Sequence, residues 1–142
     1  MPTIIVPAKM DHLDEAKAYL KSAVPEVFAA QTTNLILVAE ELLVNVFSYA
    51  YPDGSEGEAE ISIGVVEEEG EEMLQFTVRD WGEPFNPFEE VSTPDLSLDI
   101  ESRPIGGLGI FLIKQVSQRQ HWSYEDGTNF IRILFSKTPA GA

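Results

Sequence analysis

Two runs of alternating residues, "AEISIGVV" at 59–66 and "MLQFTVRD" at 73–80, flank the acidic segment "EEEGEE". Period-two alternation on both sides of a short polar break predicts an antiparallel hairpin that turns in that segment. A lone hairpin is marginal in water, so its apolar face needs cover from the rest of the chain. "TIIVPA" reads as a short first strand. "DHLDEAKAYLKSAV" places Leu13, Ala16, Tyr19 or Leu20 and Val24 at helical spacing, with Asp11 as the cap. A longer helix is predicted from Thr33 to Ala50, stopped by the turn chemistry of Pro52, Asp53 and Gly54. A third runs from Leu108 to Gln118, followed by two strands, "HWSYED" and "NFIRILFSK", that turn at "DGTN". Residues 83–105 lack periodicity, and a loop of that length in a compact domain is expected to be a lid. The tail 137–142 is expected to be loose.

The 142 residues, 44% of them hydrophobic, fit a single domain over 1–142 that buries roughly 70% of its unfolded surface. Twenty-four acidic against nine basic residues give a formal charge of −15. That charge repels phosphate backbones and anionic lipid, so neither nucleic acid nor membrane is an expected partner. No apolar stretch is read as approaching the ~20 residues of a membrane span, and the N-terminus lacks the pattern of a signal peptide, so a cytoplasmic location is expected. The absence of cysteine excludes disulfides, thiolate metal sites and cysteine nucleophiles, and His12 and His121 are read as ordinary helix and strand residues.

Three local features carry candidate chemistry. In the apolar helix "LILVAEELLVNVFSYAY", Glu41 and Asn45 are four apart and share a face. Either that face reaches solvent or backbone groups, or it lines a ligand site, Asn45 offering its carbonyl oxygen to a hard cation and Glu41 accepting a proton. Glu40 points elsewhere, as a solvated charge. On the second hairpin strand, Leu74, Phe76 and Val78 carry the alternation on to Asp80, so a carboxylate arrives on the core face at the strand end. It either caps the next turn or accepts from an exocyclic amine such as that of adenine. Third, "GGLG" at 106–109 precedes a helix, whose start exposes backbone N–H groups able to hold phosphate without lysine; Arg103 and Lys114 are the nearest cations.

Taken together, "ELLVNVFSYAY", "RDWGEPFNP" and "RPIGGLGIFLI" resemble the N, G1 and G2 boxes of the ATPase superfamily shared by gyrase, the heat-shock chaperone, histidine kinases and the mismatch-repair ATPase. Within it they are most similar to the anti-sigma-factor serine kinases of bacterial partner switching, over about Ile4 to Ser136. The resemblance implies an α+β, two-layer Bergerat fold, a mixed and mostly antiparallel sheet covered on one face by helices, with Mg·ATP held under a lid. It implies Glu41 as the general base for an incoming serine hydroxyl and Asn45 as the Mg²⁺ ligand. Asp80 would accept from the adenine amine, Gly82 would give the base room, and Asn86 would complete that motif's contribution to the nucleotide site. Arg103, Gly106, Gly107, Leu108 and Gly109 would surround the phosphates, and Thr128, with Asn129, would fall near the adenine.

The resemblance further implies a homodimer, an anti-anti-sigma (STAS-type) protein as the phosphorylated partner, and a sigma factor or related regulator as the client. The chain departs from the pattern at Tyr49, where many relatives carry histidine, at Ser117 and Gln118, where they carry Met-Asp, and at Ile105, where some place arginine. A second reading stays open, a non-catalytic module whose grip on a regulator is gated by nucleotide.

Overall fold

The computed structural model describes residues 3–51, 56–90 and 107–139. In chain order these form β1 (Thr3–Pro7), α1 (Leu13–Ala23), α2 (Thr32–Asn45), β2 (Glu58–Glu68), β3 (Glu71–Asp80), the single turn α3 (Pro87–Glu90), α4 (Gly107–Val116), β4 (Arg119–Glu125) and β5 (Thr128–Phe135). The five strands make one sheet in the order β1-β2-β3-β5-β4, antiparallel at every pairing. The fold is therefore α+β as expected, and the parallel component of a mixed sheet is not found among the described strands.

The hairpin is longer than its apolar alternation, because Glu67, Glu68, Glu71 and Glu72 continue the pairing and leave only Glu69 and Gly70 to turn. Both have positive φ, 52° and 81°, as does the Asp126-Gly127 pair between β4 and β5. Two left-handed residues in a two-residue loop match the right-handed twist of the strands. One face of the sheet, with Ile61, Phe76, Val78 and Ile133 fully or almost fully buried, packs against Leu20 of α1, Leu35, Val38 and Leu42 of α2 and Ile113 of α4. Each such side chain contributes roughly 1.5–3 kcal/mol of burial.

The opposite face covers itself. The Arg79 guanidinium lies 4.8 Å from the Phe130 ring centroid and 3.4 Å from Glu60, and Arg132 bonds Glu68 at 2.9 Å and Gln75 at 2.8 Å. Beneath this charged layer the Ser62 and Thr77 hydroxyls bond each other, while the buried Arg79 Nε has no hydrogen-bond partner among the described residues.

Several expectations need correction. Asp11 does not cap α1; it lies inside a 3₁₀ turn, Met10–His12, that runs straight into the helix, and the Leu13 N–H is met by the Met10 carbonyl. A second 3₁₀ turn, Glu26–Gln31, leads into α2, anchored by buried Gln31, which donates to the Ser136 carbonyl at 2.8 Å. Glu40 stays solvated as expected, its side chain 44% exposed, with Lys17 at 3.6 Å. The helical run from Glu26 to Ala50 is 25 residues long and passes for a membrane span by length and composition, contrary to the reading of the sequence. Its apolarity has another cause: α2 lies between the sheet and its neighbouring helices, with Leu35, Val38, Ala39 and Leu43 at 0% exposure.

The end of that run widens. Val46–Ala50 form a π-helical turn, a feature often found at functional sites, and Gly82 packs directly on its last residue. The terminating residues 52–55, the lid residues 91–105 and the tail residues 140–142 lie outside the described residues.

Candidate functional site

A pocket of about 190 Å³ opens between the end of α2, the end of β3 and the segment that follows it. Leu42, Val46 and Ile131 supply apolar wall, Tyr49 and Phe85 stand at 69% and 43% exposure, and Asn45, Asp80 and Asn129 supply polar groups. Two of the residues singled out from sequence, Asn45 and Asp80, thus meet in one cavity although 35 positions separate them in the chain. Helical periodicity turns Asn45 inward from α2; strand alternation brings Asp80 to the same space from β3.

Asp80 is 7% exposed, and its Oδ1 accepts from the Gly82 N–H at 2.9 Å and from Asn129 Nδ2 at 3.0 Å. Among the described residues no donor meets Oδ2. A carboxylate oxygen without a donor, open to an apolar slot, suits a flat ligand that presents an N–H. The turn-capping reading of Asp80 is met by Oδ1, and Oδ2 is left without a donor among the described residues. Gly82 is fixed by packing, since a Cβ there would lie 2.5 Å from the Ala50 carbonyl oxygen.

Glu41 lies one turn before Asn45, outside this pocket and against the start of α4. A Cβ at Gly109 would overlap the Glu41 carboxylate, reaching 2.7 Å from its Cδ. Removal from water, and secondarily the charge of Glu40, raises the Glu41 pKa above the ordinary carboxylate range. The glycine thus gives a base-like carboxylate access to the first turn of a helix whose N–H groups point outward. The Asn45 carboxamide, between them, has no partner among the described residues.

Other candidates have different surroundings. Asn86 caps α3, its Oδ1 accepting from the Phe88 N–H at 3.0 Å, and it does not line the pocket. Thr128 turns to the other side of the sheet, beside Arg79 and Phe130, and bonds the Glu125 carbonyl at 2.9 Å. Its neighbour Asn129 is the residue that faces Asp80 across the β3–β5 pair. Lys114 lies in the last turn of α4 and donates to the Phe88 carbonyl at 3.2 Å, away from the helix start. Gly107 begins α4 with Leu108 following; Arg103 and Gly106 lie outside the described residues. Trp81 lies outside the pocket, 45% exposed, its N–H held by the Tyr51 hydroxyl at 2.9 Å.

Sequence reasoning passed over the supporting layer of the site. Asn129 was placed near the adenine without a role, and Trp122, whose indole N–H donates to Asn129 Oδ1 at 3.0 Å, received none. Their signal is the register of two strand pairs, which no local pattern carries.

An apolar slot beside a carboxylate oxygen that no described donor meets, and a second carboxylate, Glu41, set against Gly109 of α4, are groups that suit a nucleotide. The family model of the histidine kinase-like ATPase domain matches residues 6–135, and the chain belongs to that family. Its ligand is accordingly ATP, and the apolar walls and polar groups of the pocket suit a purine. A comparison with curated proteins finds no match.

Proposed function

We propose that this protein is a serine kinase of the partner-switching type, which uses Mg·ATP to phosphorylate a serine of an anti-anti-sigma (STAS-type) partner and, in the other state of the switch, holds a sigma factor or related regulator, working as a homodimer. The observation that carries the reading is Glu41: a carboxylate of raised pKa, one turn from Asn45 and against the glycine at the start of α4. A passive nucleotide module has no use for a desolvated carboxylate there, whereas a general base works best with its pKa raised toward the operating pH.

Asp80 and the apolar walls fix the base, and the N-terminal turn of α4 faces the phosphates. Asn45 is the side chain suited to hold Mg²⁺, which typically takes one or two protein oxygens together with phosphate and water, and which would neutralise charge on the phosphates. Glu41 takes the proton of the partner's serine hydroxyl as that oxygen bonds the γ-phosphorus; the bond from the γ-phosphorus to the β–γ bridging oxygen breaks and ADP leaves. Such transfer is mostly positioning and charge neutralisation, so a small site suffices.

Incubation with Mg·[γ-³²P]ATP and the product of a neighbouring gene encoding an anti-anti-sigma-type domain should label a serine of that partner. Glu41→Gln should hold ATP within a few-fold and lower transfer by roughly 10²- to 10⁴-fold. A Glu41→Gln protein that transfers at the wild-type rate would contradict the mechanism, and a wild-type chain that binds ATP and labels no candidate partner would favour the gated module.

A further inference from the structure

Asn129 is 4% exposed and uses all four hydrogen-bonding positions of its carboxamide. Nδ2 donates to Asp80 Oδ1 at 3.0 Å and to the Glu83 carbonyl at 2.8 Å. Oδ1 accepts from the Phe85 N–H at 2.9 Å and from Trp122 Nε1 at 3.0 Å. Four partners from three parts of the chain therefore converge on one side chain: the end of β3, the segment leading into α3, and β4.

We infer that Asn129 is the positioning residue of the nucleotide site: it makes no direct contact with the base but fixes the rotamer of Asp80, so that Oδ2 is presented to the adenine amine, and ties that carboxylate to the segment bearing Phe85. The inference rests on the ATP reading of the pocket. The chemistry separates into two halves. The amide nitrogen orients Asp80 and holds Glu83; the amide oxygen holds Phe85 and Trp122. With both donors already bonded, Asn129 has no N–H left to offer the base. Recognition of the exocyclic amine then depends on how firmly Asp80 is held. A carboxylate free to rotate would present an acceptor to more than one edge of a purine, so the loss should appear in selectivity before it appears in stability.

The two halves can be tested apart. Asn129→Asp keeps the size and the acceptor for Phe85 and Trp122 but replaces both donors, and sets a second carboxylate against Asp80. Trp122→Phe removes one donor to the other half and leaves the Asp80 contact intact. Asn129→Ala, a milder electrostatic change, serves if the aspartate variant does not fold. In the apo protein, amide hydrogen exchange at Gly82 reports whether Asp80 Oδ1 still accepts its N–H; it should quicken at least about tenfold in the Asn129 variants relative to exchange elsewhere in β3, and stay unchanged in Trp122→Phe.

By calorimetry, the Asn129 variants should lose about tenfold in ATP affinity with little change for GTP, so that the ATP-to-GTP ratio falls, while Trp122→Phe holds ATP within about threefold. A general loss of structure would lower both nucleotides together and would affect Trp122→Phe as well. Unchanged Gly82 exchange in Asn129→Ala overturns the proposal, as does an unchanged ATP-to-GTP ratio in a folded variant. A wild-type chain that binds no ATP, with Gly82 exchange quickened in Asn129→Ala, would instead sink the nucleotide reading while upholding Asn129 as the residue that orients Asp80.

Discussion

Replacing Gly109 by alanine would put a methyl group into space now held by the Glu41 carboxylate. The added Cβ would stand 2.7 Å from Glu41 Cδ, against an ordinary carbon–carbon contact of about 3.5–4.0 Å, so the carboxyl group must retreat by about 1 Å. Glu41 is only half-buried and its stem can turn, at a cost of about 0.5–1.5 kcal/mol for an off-rotamer torsion. Alanine in place of glycine within α4 returns at most about 0.5–1 kcal/mol through helix propensity. The two nearly offset, so the melting temperature should move by no more than a few degrees. Phosphotransfer should not be spared. A misplacement of about 1 Å at a reacting group costs on the order of 10²-fold. The decisive assay is a double-mutant cycle: if Gly109 acts through Glu41, then adding Gly109→Ala to Glu41→Gln should cost little more, whereas two independent losses would multiply. A folded Gly109→Ala protein with a wild-type transfer rate would refute the reasoning, and a full additional loss in the Glu41→Gln background would assign the glycine to the phosphates instead.

Four further outcomes are expected. Gly82→Ala should destabilise the fold by about 1–3 kcal/mol, read from urea unfolding, because its methyl meets a backbone carbonyl at 2.5 Å that no rotamer change can move. Asp80→Asn should weaken both ATP and ADP, while GTP should bind the wild type much more weakly than ATP because its carbonyl cannot donate to Oδ2; equal ATP and GTP affinity by calorimetry would remove that role. Tyr51→Phe deletes a hydroxyl that donates to the Glu58 carbonyl at 2.6 Å and accepts from the Trp81 N–H at 2.9 Å, at about 1–3 kcal/mol in thermal unfolding. Glu41 sets a pH dependence. Since its folded pKa is raised, its contribution to stability is fully present below the ordinary carboxylate pKa, declines as pH rises through the raised value and is absent above it. Glu41→Gln should therefore gain stability relative to wild type as pH rises through that window, and parallel pH profiles of the two would contradict it.

The sequence was most readable where a feature obeys one local period. Alternation carried Asp80 to the core face, and four-residue spacing put Glu41 and Asn45 on one side of α2. It failed where placement depends on which strand is the neighbour. Thr128 and Asn129 are adjacent in sequence and point to opposite faces; only the β3–β5 register, Asp80 opposite Asn129, says which of them enters the pocket. That Asn86 caps α3 was not legible for a related reason, since the four residues of α3 are too few to announce a helix. Lys114 is five residues beyond Gly109, about 7.5 Å along the axis, a distance that counting residues already contains. The fold itself was legible because its core is built from long, regular segments.

The π turn at the end of α2 bears on how such a chain tolerates insertion and deletion. A π turn holds one more residue than the α turn it replaces, so a single-residue deletion within 46–50 would let α2 close into regular helix, an outcome that costs an ordinary helix end little. Four α residues sweep about 400°, nearly the sweep of the five π residues they would replace, so the chain beyond the lesion would keep its direction. What would be lost is the width of the turn, which sets where Tyr49 and Ala50 stand in the pocket wall and where Gly82 packs. A one-residue gap within 46–50 would therefore reshape the mouth of the pocket while leaving helix and sheet in place, so this segment can change what the site admits without changing the fold.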